Sequence, residues 1–109
     1  MTYCVGLLLN EGMVLLSDTR TNAGIDNIST YRKMFTFEDP GERVITIMTA
    51  GSLSTTQTTI ARLQEAIDDP DATSIMTAGT MLQVAEMVGD TLSTVSANVA
   101  HKLGERAQS

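Results

Sequence analysis

The sequence predicts an α+β fold in which strand hairpins come first and two helices follow. Up to about residue 50, short apolar and β-branched runs alternate with turn signals, which is typical of antiparallel strands. Beyond that point, apolar residues recur every three or four positions, as they do on one face of a helix. Strands followed by helices favour a sheet covered by a helix pair.

The first predicted hairpin pairs residues 3–9 with residues 13–17. The first run is apolar and too short for a helix, and it ends at a turn signal at residues 10–12. The following segment, 19–30, is rich in Thr, Asn, Gly and Ser and has no period. It predicts a long loop with, at most, short strand pieces.

A second hairpin pairs residues 31–38 with residues 43–50, across a turn at 39–42. Residues 5–9 and 44–48 are apolar at consecutive positions, which is typical of strands buried on both faces. Two helices cover only one face of a sheet, so we expect the second face to be covered by a partner or by a second half of the protein.

The first helix is predicted to start at Ser52 or Ser54, either of which can cap it, and to stop at the Asp-Asp-Pro sequence at 68–70. Its apolar face comprises Ile60, Leu63 and Ile67. The second helix has a longer stripe, which Val84 and Met87 widen; its members are Met81, Ala85, Val88, Leu92, Val95, Val99 and Leu103. The polar tail from residue 104 is expected to fray. We therefore expect one partial domain over 1–109, with strands within about 2–50 and helices at about 52–68 and 79–103.

Composition excludes several classes of function. The net charge is −6 and the basic residues form no stripe, so we expect no nucleic-acid partner. No signal peptide or membrane span is predicted, so we expect a soluble, cytoplasmic protein. The chain has one cysteine and one histidine, Cys4 and His101, and no phosphate-binding or dinucleotide fingerprint. We therefore expect no metal and no cofactor.

Three polar side chains are predicted to lie on strand faces that are otherwise mostly apolar. Lys33 belongs to an aromatic row with Tyr31, and a buried ammonium needs a partner. Asp18 ends an apolar row, and Thr2 starts another. Structural readings stay open at this point: Asp18 could cap a turn, Lys33 could reach solvent at a sheet edge, and Thr2 could be a disordered terminal residue.

The order and spacing of four short motifs resemble the proteasome β-type fold. They are MTYCVG at 1–6, SDTR at 17–20, YRKM at 31–34 and TAGS at 49–52. The longer stretch at 17–24, followed by DNI at 26–28, is most similar to the bacterial proteasome-related Anbu subfamily. The resemblance implies the N-terminal half of a four-layer α-β-β-α sandwich, the fold of the N-terminal-nucleophile (Ntn) hydrolases. Because members of the family are about twice as long, it also implies a fragment.

The resemblance implies a threonine protease. It assigns Thr2 as the nucleophile once Met1 is removed, with the α-amino group of Thr2 as the base. Lys33 would stay charged and favour the alkoxide, Asp18 would hold Lys33, and the Gly51 N–H would donate to the oxyanion.

The resemblance also implies a peptide or unfolded-protein substrate, bound as an added strand by Thr21 and residues 49–51. The first specificity pocket would be lined by Tyr31, Phe35, Thr49 and Leu53. The family further implies assembly of the protein with itself, as a ring or an open helical array.

Two other functions remain open at this stage. One is a non-catalytic assembly subunit with the same fold, and the other is an Ntn amidase acting on a small amide. The family's supporting Ser and Asp lie in the second half, so we expect the 109-residue fragment alone to be inactive.

Overall fold

The computed structural model describes residues 2–22 and 28–108, and the chain divides into two compact units. We call residues 1–51 the strand unit and residues 52–109 the helical unit. The strands are β1 (Cys4–Leu9), β2 (Gly12–Ser17), β3 (Arg20–Asn22), β4 (Ile28–Thr30), β5 (Met34–Asp39) and β6 (Arg43–Met48), and the helices are α1 (Leu53–Asp68) and α2 (Met81–Gln108). The predicted order of strand hairpins followed by two helices is confirmed.

The six strands form three antiparallel pairs, β1–β2, β3–β4 and β5–β6. In the first pair Leu9 faces Gly12 across a two-residue turn. The last pair closes at residues 40–42, where Gly41 has a φ of +81°, a conformation that glycine adopts readily. The β3–β4 pair lies at the two ends of the segment predicted as a loop with short strand pieces, and residues 23–27 between them are outside the described residues.

The first hairpin exposes apolar side chains on both faces. Leu7 and Val14 are opposite each other on one face, Leu8 and Met13 on the other, and all four are exposed, with Leu8 at 82%. Within the strand unit, the described residues therefore leave apolar side chains uncovered on both faces of this hairpin. In the second long hairpin, Ile45 is buried and its neighbour across the strands, Phe37, is half-buried.

Helix α1 begins where its capping serine predicts. The Ser52 hydroxyl accepts a hydrogen bond from the Thr55 N–H at 3.3 Å, and the helix ends at Asp68, two residues before Pro70. Leu63 is buried, as predicted, while Ile60 and Ile67 are half-buried. Two threonines that the apolar pattern did not include, Thr56 and Thr59, are also buried.

Helix α2 extends further than predicted and buries only part of the predicted apolar stripe. It continues to Gln108, through the tail that was expected to fray. Val84 and Val95 are buried and Val88 and Val99 are half-buried, as predicted, whereas Met81, Ala85 and Leu92 are exposed. The side chain of Leu103 lies outside the described residues. No helix in the described part of the chain is long and apolar enough to cross a membrane.

Candidate active site

An ion pair joins the buried ammonium of Lys33 to the half-buried carboxylate of Asp18. The Lys33 Nζ donates to both carboxylate oxygens, at 3.0 and 3.1 Å, and to the main-chain carbonyl of Arg20 at 2.6 Å. Lys33 is only 1% exposed, so its charge is compensated by partners and not by water. The readings of Lys33 as a solvent-reaching edge residue and of Asp18 as a simple turn cap are therefore wrong.

The main chain on either side fixes the position of Lys33. The Thr49 N–H donates to the Lys33 carbonyl at 2.8 Å, and the Thr49 hydroxyl reaches the same oxygen at 3.3 Å. These bonds extend the β5–β6 ladder one step beyond Met34 and Met48, which face each other. The lysine thus starts a strand whose register is already set, and its side chain has little freedom of direction.

Asp18 also holds the chain next to Thr2. Its Oδ1 accepts the Tyr3 N–H at 3.0 Å, and its own N–H donates to the Tyr3 carbonyl at 3.1 Å. The Tyr3 amide is the largest cause that lowers the pKa of Asp18, and the Lys33 ammonium lowers it further. One ionised carboxylate therefore connects the lysine to the residue that follows Thr2.

The remaining predicted catalytic groups belong to the strand unit. Thr2 is half-buried, and Met1 lies outside the described residues. Gly51 is exposed with a φ of +96°, and a Cβ there would meet nothing within 4 Å. Conformation and not space therefore favours glycine at this position. The catalytic roles of Thr2 and Gly51 stay predictions.

The predicted pocket residues lie in different places. The Tyr31 ring lies under the lysine, with its centroid 5.7 Å from Lys33 Nζ. Phe35 is half-buried and faces Ile47, and Thr49 is bonded to Lys33 as described above. Leu53 is the first residue of α1 and belongs to the helical unit.

The main chain of Thr21 is paired within the short β3–β4 hairpin. It faces Ser29 there, and its side chain is outside the described ones. Its predicted role in binding an extended substrate stays a prediction.

Sequence reasoning missed two contacts of this site, the Tyr3 amide and the Arg20 carbonyl. Both are main-chain groups, which every residue carries, so no residue type signals them. It also missed an open cleft of about 350 Å³ in the strand unit. Its lining consists of Ser17, Thr19, Thr30, Tyr31, Arg32, Lys33 and Met34.

The described residues contain no group of three or more His, Cys, Asp or Glu side chains placed to hold a metal ion. The single cysteine, Cys4, is exposed, and its thiol lies 3.8 Å from the Thr49 carbonyl. The prediction of a cofactor-free site stays a prediction.

Antiparallel hairpins followed by two helices agree with the fold expected from the resemblance to the proteasome β-type subunits. The chain is similar in sequence and in fold to solved structures of Anbu proteins. No protein-family model matches the chain, and no curated protein matches it.

Three solved structures carry this relationship. Anbu from Hyphomicrobium sp. strain MC1 is 36% identical, with a TM-score of 0.78 over 89% of this chain. Anbu from Yersinia bercovieri, described as an ancestral β-subunit, is 40% identical, with a TM-score of 0.81 over 90%. The Anbu complex from Pseudomonas aeruginosa, solved as a helical assembly, is 42% identical, with a TM-score of 0.80 over 90%.

The chain spans only part of each relative. It covers 43% of the Hyphomicrobium chain, 42% of the Yersinia chain and 40% of the Pseudomonas chain. The predicted Anbu resemblance is confirmed, and so is the predicted fold class, the hairpin-and-helix first half of an Ntn-hydrolase fold.

Proposed function

We propose that the protein is a threonine-type peptidase of the proteasome family, with Thr2 as its nucleophile after removal of Met1. The observation that carries this proposal is that the Asp18 carboxylate accepts hydrogen bonds from two different groups. It holds a buried ammonium, Lys33, and also the amide of Tyr3, next to Thr2. A cation fixed beside a hydroxyl favours the alkoxide, which is the nucleophilic form.

In this mechanism Thr2 Oγ attacks the scissile carbonyl and its proton passes to the α-amino group of the same residue. That amine has an ordinary pKa of about 8, which suits a base near neutral pH. The Gly51 N–H donates to the oxyanion. An ester then forms as the C–N bond breaks, and the leaving amine takes the proton. Water hydrolyses the ester and restores Thr2.

An extended peptide is the proposed substrate, bound as an added strand along Thr21 and residues 49–51. The hydrogen bond from the Thr49 N–H to the Lys33 carbonyl refines this proposal. Because that amide is already used, pairing at Thr49 would have to use its carbonyl. Tyr31, Phe35, Thr49 and Leu53 remain the proposed pocket residues.

We further propose that the protein assembles with itself, as a ring or an open helical array. The helical assembly of the Pseudomonas aeruginosa relative supports this, and so do the apolar side chains that the first hairpin exposes on both faces. Nucleic acid and membranes are not among the proposed partners, and the proposed location is the cytoplasm.

Intact-mass measurement of the full-length protein, before and after treatment with a threonine-directed electrophile, tests the proposal. We expect a mass without Met1 and a single adduct on Thr2. The matched control is Thr2→Ala, which should give no adduct, while Thr2→Ser should still react.

A retained Met1 with no adduct would contradict the peptidase and favour a non-catalytic assembly subunit. If Thr2 reacts, a panel of peptides and small amides then separates the two remaining activities. Turnover of the amides alone would favour the amidase.

A further inference from the structure

The ring of Tyr31 lies under the ammonium that the proposed mechanism uses. The distance from Lys33 Nζ to the ring centroid is 5.7 Å, within the range of about 6 Å at which a cation–π attraction acts. This attraction is stronger where water is excluded, and Lys33 is 1% exposed while Tyr31 is half-buried. The contact therefore involves a desolvated cation.

Main-chain bonds hold the two residues in this relation. The Tyr31 N–H donates to the Thr19 carbonyl at 2.8 Å, and the Lys33 carbonyl accepts the Thr49 N–H at the same distance. Thr19 directly follows Asp18, so the segment that carries the counter-ion of the lysine also anchors the tyrosine. Because hydrogen bonds hold the main chain of both residues, the Tyr31 ring is carried on a fixed backbone next to the backbone of Lys33.

The ring differs in kind from the hydrogen-bonding partners of Lys33 described above. Hydrogen bonds of the ammonium go to the Asp18 carboxylate and to the Arg20 carbonyl. An aromatic face attracts a cation through its quadrupole and needs no directed N–H bond, so it restrains the ammonium without competing for those donors.

We propose that Tyr31 is a positioning residue that fixes the Lys33 ammonium for the reaction of Thr2. This inference rests on the proposed function and adds a role to a residue that the sequence assigned only to the substrate pocket. The ring face toward Lys33 is occupied by the cation, so a substrate can contact only the rest of the ring.

The test compares Tyr31→Leu and Tyr31→Phe in the full-length protein. We expect Tyr31→Leu to lower kcat, and the rate constant for electrophile labelling of Thr2, by about tenfold and by at most about 30-fold. Because Tyr31 is also a proposed pocket residue, KM can change as well, and the fall in kcat is the result that tests the positioning role. Tyr31→Phe keeps the ring face, so it should stay within about threefold of the wild type. The matched control is Phe37→Leu, another half-buried aromatic of the unit, which should leave both rates unchanged.

Each alternative outcome identifies what failed. If Tyr31→Leu raises KM or changes side-chain preference while kcat is kept, Tyr31 is only a pocket wall and the inference is overturned. If Tyr31→Phe loses as much as Tyr31→Leu, the hydroxyl acts and not the ring, which also overturns it. If wild-type Thr2 labels but Tyr31→Leu labels equally fast, this inference alone fails. If wild-type Thr2 does not label at all, the proposed function fails and takes the positioning role with it.

Discussion

Among the described residues, the most deeply buried side chains of the strand unit and of the helical unit differ in chemistry. In the helical unit the most deeply buried side chains are apolar, Ile75 at 1% exposure and Val95 at 2%. In the strand unit the most deeply buried one is the ammonium-bearing Lys33, while the apolar residues of the first hairpin are largely exposed. The hydrophobic effect explains burial in the helical unit but not the burial of a charge.

Stability alone does not explain why the strand unit buries the charged side chain of Lys33. Burying a charge is unfavourable unless its partners are well placed, and a buried ion pair is often no more stabilising than apolar residues of similar volume. The bidentate contact with Asp18 and the bond to the Arg20 carbonyl compensate Lys33, but they do not make a lysine preferable to a methionine for stability alone. The proposed role of the ammonium in the reaction of Thr2 would account for it.

Replacing Lys33 by methionine should have the largest effect on the reactivity of Thr2. The substitution puts an apolar side chain in place of the buried charge of the strand unit. We expect Thr2 labelling to fall by about 10²- to 10³-fold, as when one preorganised electrostatic group is removed from an active site. The rate constant for adduct formation, followed by intact mass, measures it.

The control for this substitution is Arg32→Met, which removes an exposed cation one residue away and should leave the rate unchanged. Equal labelling in Lys33→Met and the wild type would show that burial of the lysine serves structure only.

How far the sequence could predict this contrast depends on the kind of group involved. A lysine in an aromatic row and a carboxylate at the end of an apolar row are visible in the sequence, because side-chain direction in a strand alternates. That Asp18 and Lys33 meet could be expected only from the family resemblance, since it depends on how β2 and β5 are placed. The Tyr3 amide could not be predicted, because main-chain groups carry no residue signal.

The helices show a different limit of sequence reasoning. In α2 the apolar stripe is wide, and a period of 3.6 residues does not decide which of its members are buried. Val84 and Val95 are buried while Met81 and Leu92 are exposed, so packing within the folded chain made the choice. In α1 the periodicity was sufficient for Leu63 but not for the buried threonines, whose hydroxyls can bond locally, as Thr59 does to the Thr55 carbonyl at 2.7 Å.

Ile75→Ala should destabilise the helical unit, because it removes the most deeply buried apolar side chain among the described residues of that unit. We expect the free energy of unfolding to fall by about 3 kcal/mol, within the range of roughly 2–5 kcal/mol seen for buried isoleucines. Denaturant unfolding of the protein measures the change.

The control for the helical unit is Leu82→Ala, because Leu82 is exposed on α2 and should change stability by less than about 0.5 kcal/mol. Similar losses of unfolding free energy for both variants would mean that the exposed side of α2 is covered in the assembled protein. The contrast between the two units would then hold for the single chain only.

The smallest expected effect is a pH dependence that originates at Asp18. Its pKa is lowered in the folded state, first by the Tyr3 amide and then by Lys33, so folding favours the carboxylate. The resulting stability is present at neutral pH, above the ordinary value of about 3.9, and is lost as the pH falls through the folded-state pKa. We therefore expect the difference in Tm between the wild type and Asp18→Asn to be largest near neutral pH and to shrink in acid.

The order of the two causes can be tested by repeating the Asp18→Asn comparison in the Lys33→Met background. There the Tyr3 N–H still donates to the carboxylate, so most of the acid-dependent difference in Tm that Asp18→Asn produces should persist. If that difference disappears with the lysine, the ammonium is the main cause of the lowered pKa. The aspartate would then serve the cation alone, and its hold on the residue next to Thr2 would be incidental.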